Sequence, residues 1–525
     1  EAPVFNDISA HNRTFTIGRW SLPDGVDAGD TVRFNVTIVP AQVSGAEVAM
    51  HVAALREDDV VEKEDEIIQI VPPGPVVAFD LFARGAPEAD GAVRLTLVPV
   101  DANRYPARLE TATAAKIYHG KDLVWEGEIR EPTVITVPSP GNAVARFTAV
   151  VDTEQAPDQK RKVVSNPVWT EGIDARLPVF GEIHWHTSHS GDGMRPIREA
   201  LRVSRDELNL DFVAPGDHTP LGDRRTDTVA ALEEINEDGA FVTFFGWEQS
   251  SNHGHENYYF TEPDHPLLPG GAAGVRGSTP AQNTPLLDAC EQRFIAIPHH
   301  TNAISYAIKD DGSHYWYPYP WEEPRNHYRR LVELVQARGN FERENPPDGW
   351  RHEFTGNGSS AQTALEAGHR FGFTGGTDNH TGWPTFHGRM DGSRLYTGGW
   401  TVARTRVAVF DALYERHTWA CWDTRAIVRF EINDTLQGGE MTVAAGTRLQ
   451  ARIRLSCEAP LDTLELVTEN DAATPVPFDP DALDIDTSAN LPAAAQPAWY
   501  YLRARQTDGA LVYASPIFTH VTGNI

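Results

Sequence analysis

Between residues 176 and 423, short apolar segments end in His, Asp or Glu, and helical periodicity follows several of them. This repetition constrains the fold more than any other feature, because alternating strands and helices imply a parallel sheet or a barrel. A β/α barrel keeps its chemistry at the carboxyl ends of its strands. The apolar segments and the polar residues that follow them are 177–183 with His184 and His186, 210–214 with Asp217 and His218, 241–245 with Glu248, 294–298 with His299 and His300, and 371–374 with Asp378 and His380.

The residues on either side of this region alternate apolar and polar side chains in short β-branched runs, as half-buried strands do. Such runs lie at 31–39, 76–81, 92–98, 133–137 and 144–151 before it, and at 426–433, 448–456, 461–467 and 499–505 after it. The segment 470–497 is predicted to be a long surface loop. We therefore predict an α/β protein with a β-sandwich-like domain over 1–175, a β/α barrel over 176–423 and a C-terminal β-sandwich-like domain over 424–525.

The charge of the chain limits its partners. It carries 74 acidic and 45 basic residues, a formal net charge of −29, which repels nucleic acid and anionic lipid. No run of about 18 apolar residues is present, so we expect no membrane-spanning helix. A small anionic or ester substrate would need local positive charge, which metal ions supply.

Three widely spaced cysteines, Cys290, Cys421 and Cys457, predict neither a disulfide framework nor a thiolate metal site. Buried free thiols are typical of a reducing compartment, so a soluble, cytoplasmic protein is favoured over an exported one. The chain begins at Glu1, and the removal of an export signal stays open. Association into homo-oligomers also stays open.

The recurrence of His, Asp and Glu at the segment ends predicts a metal site. The pair His184 and His186 is weak evidence alone, because two surface histidines explain such a pair more often. Imidazole and carboxylate ligands without thiolate suit Zn²⁺, Mn²⁺ or Fe²⁺. The further candidate ligands are Asp192, His218, Glu248, His253 or His255, His299 or His300, Asp378 and His380.

The order of these motifs resembles that of the PHP (polymerase and histidinol phosphatase) superfamily, and most of all an uncharacterised subfamily with β-rich flanks. The likeness covers most of the chain from about residue 176. It implies a distorted TIM-like β/α barrel that holds two or three divalent ions of Zn, Mn or Fe. The stretches that carry it are His184-Trp185-His186-Thr187 with Asp192-Gly193, Gly216-Asp217-His218, Trp247-Glu248, Pro298-His299-His300 and Gly376-Thr377-Asp378-Asn379-His380.

Carried over position by position, the resemblance implies three sets of ligands, and in it Asp217 would orient one of them. Glu248 would bridge the first two ions. The implied sets are His184, His186, Glu248 and Asp378 for the first ion, Glu248, His255 and His299 for the second, and Asp192, His218 and His380 for the third.

Two of these assignments involve a choice between neighbouring histidines. His255 is preferred to His253 because His255-Glu256-Asn257 resembles the subfamily pattern. His299 is preferred to His300 because it directly follows the predicted strand. The chain departs from the family at Glu182, where Asp is usual, and at Thr377, where Ser is common.

These residues imply a metal-dependent hydrolase, and hydrolysis of a phosphate ester by a metal-bridging hydroxide is the leading hypothesis. Hydrolysis of another ester, a lactone or an amide on the same centre is an alternative, as is a non-catalytic, metal-stabilised binding protein. The candidate catalytic residues are Glu248, Asp378 as the base, and His189, His218 or His300 as the acid. The candidate substrate contacts are Arg195, Arg406, Asn257 and Trp247.

Three features have competing explanations. Arg195 and Arg406 either bind an anionic substrate or pair with surface acids. The aromatic segment 314–321 either covers a substrate or packs against a flanking domain. Glu333, within the apolar segment 331–335, either orients a ligand or reflects plain alternation along a strand.

Overall fold

The structure is a computed structural model of the chain. Asp192, His253 and the strand predicted over 31–39 lie outside the residues that it describes. The described ranges are 47–56, 59–70, 73–171, 174–190, 193, 195–218, 223–250, 255–265, 280–302, 304–308, 314–316, 319–321, 324–336, 339–344, 358–385 and 394–523.

The amino-terminal part is built from strands, and two of them, Thr133–Pro138 and Phe147–Val151, alternate buried and more exposed side chains as the sequence predicts. Strands β3, β4 and β7 form one sheet, β10, β9, β5 and β6 form another, and apolar side chains from both share one core. The strands are β1 (Glu47–Arg56), β2 (Asp59–Ile70), β3 (Ala78–Ala83), β4 (Ala92–Val100), β5 (Thr113–His119), β6 (Asp122–Ile129), β7 (Thr133–Pro138), β8 (Val144–Ala145), β9 (Phe147–Val151), β10 (Lys162–Val164) and β11 (Val168–Trp169).

The α-helices of the described residues all lie in the middle of the chain. The side chain of Ser360 caps the helix Ala361–Glu366 by accepting from the N–H of Thr363, and the side chain of Thr405 caps the helix Arg406–Tyr414 by accepting from the N–H of Ala408. The helices are α1 (Ile197–Arg202), which continues as a π-helical turn (Val203–Glu207), α2 (Asp223–Ile235), α3 (Pro280–Asp288), α4 (Ala361–Glu366) and α5 (Arg406–Tyr414).

The strands of this middle part are short and mostly buried. They are β12 (Leu177–Glu182), β13 (Phe212–Val213), β14 (Val242–Thr243), β15 (Phe245–Gln249), β16 (His255–Phe260), β17 (Ile295–His299), β18 (Ile304–Ile308), β19 (His314–Trp316), β20 (Leu331–Gln336), β21 (Gly339–Asn340), β22 (Gly372–Gly375), β23 (Leu395–Thr401) and β24 (Thr418–Trp422).

The carboxyl-terminal part is also β-rich. The segment 470–497 was predicted to be a loop, and this prediction is wrong, because two strands, Ala472–Pro475 and Asp484–Leu491, lie within it and pair with the strands Leu461–Thr468 and Leu449–Ser456. The strands are β25 (Ile427–Ile432), β26 (Thr435–Leu436), β27 (Glu440–Ala444), β28 (Leu449–Ser456), β29 (Leu461–Thr468), β30 (Ala472–Pro475), β31 (Asp484–Leu491), β32 (Ala498–Gln506) and β33 (Leu511–Thr522).

One ten-stranded sheet joins the middle and carboxyl-terminal parts. Its order is β14-β13-β12-β23-β24-β33-β32-β29-β30, with β27 beside β33. A large apolar core lies between this sheet and the four-stranded sheet β26-β25-β28-β31. Two indoles cross that core with their N–H groups satisfied: Trp400 donates to the carbonyl of Val428 and Trp419 to that of Ala426.

The predicted β/α barrel is wrong. Among the described residues, strand predominates over helix, at 44% against 14%, and these residues form no closed barrel. A barrel needs parallel strands with a helix after each one. Here β15, β16 and β17 pair antiparallel, as do β12 and β23, while β12, β13 and β14 are parallel. Antiparallel neighbours need no crossover helix, which explains the low helix content.

Among the described residues, the middle region therefore contributes to four open sheets. They are the ten-stranded sheet and the sheets β15-β16-β17, β18-β19 and β21-β20-β22. In the part of the chain that the structure describes, no helix has the length and hydropathy that a membrane crossing requires.

Candidate metal centre

The His, Asp and Glu residues that follow the strands lie close together. They are brought together by chain segments that continue beyond the strands and pair in parallel. Trp185, beyond β12, pairs in parallel with Asn379, beyond β22. His218, beyond β13, pairs in parallel with Glu248 in β15. Because parallel segments present their carboxyl ends at the same edge, these pairings bring the predicted His, Asp and Glu residues into one place.

Three groups of side chains there can each hold an ion, since the ligand atoms of each group lie within 4.8 Å of one another. Buried imidazoles and carboxylates without thiolate form a donor set that fits Zn²⁺, Mn²⁺ or Fe²⁺. The groups are His184, His186, Glu248 and Asp378; Glu248, His255, His299 and His300; and His186, His218 and His380. We call these residues together the cluster.

Glu248 lies at the centre of the cluster. Its Oε2 is 3.2 Å from Nε2 of His184 and 3.2 Å from Nε2 of His186. Its Oε1 is 2.5 Å from Nδ1 of His255 and 3.2 Å from Nε2 of His299. Each oxygen of one buried carboxylate therefore faces a different group, which is the arrangement that a bridging ligand requires.

The electrostatics of the cluster follow from burial and close charges. Burial alone would raise the pKa of Glu248, but the imidazoles of His218, His299 and His255 lower it well below its usual range. Burial would lower the pKa of His184, yet the carboxylates of Glu333 and Glu248 raise it to about 10. Burial and the charge of His184 lower the pKa of His299 well below its usual value. Protons and divalent ions compete for such a site.

His184 is held in position by carboxylates on both sides. Its Nδ1 lies 2.8 Å from Oε2 of Glu333, a contact that favours the orienting role of Glu333 over plain alternation along a strand. Glu182 accepts hydrogen bonds from the N–H groups of His184 and Thr377, both at 3.0 Å. Burial raises the pKa of Glu182 to about 8. Gly376 leaves room for the contact between His184 and Glu333, since a Cβ at residue 376 would lie 2.1 Å from Oε2 of Glu333.

Some contacts to the cluster were missed by the sequence reasoning. Gln336 donates from its Nε2 to Oδ2 of Asp378 at 2.8 Å. Ser190 lies 3.0 Å from Nδ1 of His186 and accepts from the N–H of His218. Gln336 directly follows the apolar segment 331–335, so the pattern of polar residues at segment ends could have identified it. A single Ser in a loop has no comparable sequence pattern.

Asp217 is buried and supports the loop after His186 rather than a histidine ring. Its two oxygens accept from the backbone N–H of Thr187 at 2.5 Å and from the Thr187 hydroxyl at 2.7 Å. Burial raises the pKa of Asp217 above its usual value. Its contact to the ligands is therefore indirect, through the backbone that carries His186.

Two of the predicted site residues contact helix α2 instead of the cluster. Nδ1 of His189 lies 2.8 Å from the Thr228 hydroxyl, and its Nε2 lies 3.3 Å from Asp227. Arg406 donates to the carbonyl of Thr243 at 2.8 Å and to the α2 residue Glu233 at 2.6 Å. The contacts of Arg406 are those of a residue that ties α5 to β14 and α2.

Arg195 and Trp247 are also buried outside the three groups. The Arg195 guanidinium lies 4.3 Å from the centroid of the Trp383 ring and pairs with Glu199. The Trp247 ring stacks on Phe260 at 5.7 Å, on the face of β15 opposite Glu248. As substrate contacts, both remain predictions.

Asn257 lies on the cluster side of β16. It is directly opposite Glu248 in the ladder and, two residues from His255, on the same face. A Cβ at Gly216 would lie 3.4 Å from Oδ1 of Asn257 and 2.8 Å from Cδ2 of His184, so the amide and that ring both border Gly216. The side chain is 1% exposed, and neither amide atom has a hydrogen-bond partner among the described residues.

The described end of the aromatic segment packs into the protein. The Tyr319 hydroxyl donates to Oε1 of Glu256 at 2.5 Å, and Arg329 donates to the same oxygen at 2.7 Å. Trp321 stacks on Phe371 at 5.8 Å. Residues 319 and 321 therefore make packing contacts, and the partners in these contacts belong to the middle part of the chain and not to a flanking domain.

Comparisons with known proteins add little to this geometry. No protein-family model matches the chain. An uncharacterized protein of Chlamydia muridarum is 24% identical over 375 residues, which are 65% of this chain and 57% of that protein. A protein of Chlamydia trachomatis, also uncharacterized, is 23% identical over 374 residues. The chain thus spans 57% of the length of these curated relatives.

Among solved structures, one similar chain is a two-domain protein containing a predicted PHP-like metal-dependent phosphoesterase from Bacteroides vulgatus. It is 11% identical, has a TM-score of 0.33, and the match covers 66% of this chain and 97% of that one. A β-glucuronidase of Bacteroides uniformis is 10% identical with a TM-score of 0.17, over 85% of this chain and 64% of that one. Similarity at this level carries no argument about fold or activity.

Proposed function

We propose that this protein is a metal-dependent hydrolase that cleaves phosphate esters. The observation that carries the proposal is the position of Glu248, whose two oxygens face two separate groups of imidazoles within one buried cluster. A carboxylate shared in this way suits a pair of divalent ions. The order of the sequence motifs, which resembles that of the PHP superfamily, points to the same chemistry.

The two groups that contain Glu248 would hold the ions. His184, His186 and Asp378 complete the first group, and His255 and His299 belong to the second. Divalent ions in these groups would lower the pKa of a coordinated water and offset the charge that develops on a phosphoryl oxygen. In a chain with a net charge of −29, an anionic ester needs such local compensation.

We assign Asp378 to orient the attacking water and to accept its proton. Its Oδ2 is held by the Gln336 amide at 2.8 Å, and its Oδ1 lies 3.1 Å from Nε2 of His186. Fixing one oxygen by a hydrogen bond restricts the rotation of the carboxylate, which keeps the other oxygen directed into the cluster. Asp378 lies three residues beyond the end of β22, and its backbone has a positive φ of 52°.

We assign His218 to protonate the leaving oxygen. Its side chain is 26% exposed, more than that of His255 at 20%, so this edge of the cluster faces the solvent from which a substrate arrives. Nδ1 of His218 lies 3.0 Å from the Ser250 hydroxyl, which orients the ring. Among the described residues the group His186, His218 and His380 contains no carboxylate, since Asp192 lies outside them, and its role as a third ion site remains a prediction.

Asn257 is assigned to bind the substrate. A buried amide without a hydrogen-bond partner costs free energy, about 1–3 kcal/mol, and such a group persists where a ligand supplies the partner. Asn257 lies opposite Glu248 in the ladder and borders Gly216, as His184 does, which puts it beside the cluster. An amide N–H can donate to a phosphoryl oxygen of the bound ester.

The experiment is elemental analysis of the purified protein together with a panel of phosphomonoesters, phosphodiesters, carboxylic esters and lactones. We expect turnover of phosphate esters that a chelator abolishes and that Mn²⁺ or Zn²⁺ restores. Glu248→Gln should lose bound metal and turnover together. The matched control is Glu431→Gln, because Glu431 pairs with Arg429 outside the cluster and its replacement should leave both unchanged.

Each other outcome would overturn part of the proposal. Turnover restricted to carboxylic esters or lactones would replace the phosphoesterase by another hydrolase on the same centre. A metal-filled protein that turns over no ester would make it a binding protein. Turnover that survives complete removal of the metal would reject the metal-dependent mechanism.

A further inference from the structure

The consecutive residues His299 and His300 both direct their imidazoles into the cluster. Their ring centroids lie 4.6 Å apart, and the His300 ring is 4.4 Å from that of His255. His300 is 3% exposed and has a ligand nitrogen within 4.8 Å of those of His255 and His299 and of an oxygen of Glu248. Four donors, one carboxylate and three imidazoles, therefore converge at this point.

Two neighbouring residues of a strand normally point to opposite faces. His299 is the last residue of β17 and pairs with His255 in the ladder, so its side chain lies on the cluster face. Regular continuation of the strand would turn the His300 side chain away from the cluster. Instead the backbone of His300 has a φ of +36°, a left-handed conformation that residues with a Cβ seldom adopt.

The turn that carries His300 is fixed from outside. The carbonyl of Thr301 accepts from the N–H of Tyr319 at 3.0 Å, and Oδ1 of Asn302 accepts from the N–H of Ser359 at 3.3 Å. These contacts come from two other segments of the chain. Left-handed backbone that is held by its surroundings is found mainly at functional sites.

We infer that His300 is a metal ligand, and that Glu248, His255, His299 and His300 form a site closed by four protein ligands. The inference rests on the proposed function, because it concerns the same cluster. A site with four protein ligands retains its ion, whereas a site with three keeps a position open for water or substrate. The ion of this group would therefore be held firmly by protein ligands alone.

The test uses two variants that suit the left-handed backbone, His300→Gly and His300→Asn, because these residues tolerate a positive φ. Thermal unfolding identifies any variant that fails to fold. The metal-free full-length protein is titrated with Co²⁺ alone, and the stoichiometry, the affinity and the visible absorption spectrum are recorded. His189→Gln is the matched control, since His189 contacts α2.

We expect His300→Gly to weaken one Co²⁺ site by at least about 100-fold, because loss of a mere supporting contact already costs about 10- to 100-fold. The absorption of that ion should change in both His300 variants and not in His189→Gln. Unchanged affinity and spectrum in a folded His300→Gly protein would overturn the inference. Since the readout is metal binding, it is independent of whether any ester is cleaved.

Discussion

The Nδ1 atom of His184 lies 2.8 Å from Oε2 of Glu333, and this contact turns Nε2 of the same ring toward Glu248 at 3.2 Å. A carboxylate on the far nitrogen fixes the tautomer of a ligating histidine and makes it a stronger donor. Glu333→Gln keeps an oxygen acceptor and removes the charge. We expect metal affinity to fall by about 10- to 100-fold, measured by competition with a chromogenic chelator. The Glu431→Gln control should bind metal as the parent protein does, and equal affinity in Glu333→Gln would reject the orienting role.

Gly376 is needed because Glu333 approaches the backbone there. A Cβ at residue 376 would lie 2.1 Å from Oε2 of Glu333 and 2.9 Å from Cβ of His184. Gly376→Ala should therefore displace the carboxylate and lower the free energy of unfolding by about 1–3 kcal/mol, measured by urea denaturation of the metal-free protein. Gly399→Ala is the control, because its nearest neighbour, Val179, would be 3.6 Å away. If both variants unfolded at the same urea concentration, the crowding argument would be wrong.

The sequence predicted more of the candidate site than of the fold. The polar residues at the ends of apolar segments predicted the cluster. In the structure, parallel pairing such as that of His218 with Glu248 brings these residues together. The orientation of the His300 side chain could not be predicted. Glycine is the usual sequence signal of a left-handed residue, and here the left-handed residue is a histidine. The contact from Ser190 had no sequence pattern either, because a single Ser in a loop is common.

The barrel could not be excluded from the sequence, because buried strands look alike whichever direction their neighbours run. In the structure, β15 and β16 are antiparallel and the connection between them is too short for a crossover helix. The pairing of β24 with β33, close to the end of the chain, is equally hidden. Periodicity reports which side of a strand is buried and carries no information about its distant partner.

Glu207, at the end of the π-helical turn, should make stability depend on pH. Burial raises the pKa of Glu207 from 4.5 to about 7, against the opposing charge of Arg195. Between these two pH values the folded state keeps a proton on Glu207 that the unfolded state has lost. The stability that this proton gives the folded state is fully present below pH 4.5 and is lost as pH rises through about 7. Glu207→Gln should stabilise the protein at about pH 8, by at most about 3 kcal/mol, and flatten its pH profile.

Urea denaturation at about pH 5 and about pH 8 measures this effect. The control is Glu415→Gln, whose carboxylate is 54% exposed. An identical dependence on pH in the parent protein and in Glu207→Gln would show that Glu207 ionises alike in the folded and unfolded chains.

Replacing the buried amide of Asn257 should lower turnover without lowering the free energy of unfolding. Neither amide atom has a partner among the described residues, so Asn257→Leu, of similar volume, removes an uncompensated polar group. We expect the free energy of unfolding to stay equal or to rise by about 1–3 kcal/mol, because a buried amide without a partner costs that much. Turnover of the best phosphate ester, measured as kcat/KM, should fall while metal content is kept.

Asn340→Leu is the contrasting control for Asn257→Leu. Asn340 donates to the Tyr513 hydroxyl at 2.7 Å and accepts from the N–H of Glu342 at 3.0 Å, so its loss should destabilise the protein by about 1–3 kcal/mol. Since Asn340 is not among the cluster residues, kcat/KM of the folded fraction should be kept. Asn257 would be a structural residue, and no substrate contact, if Asn257→Leu lost stability as Asn340→Leu does and kept its kcat/KM.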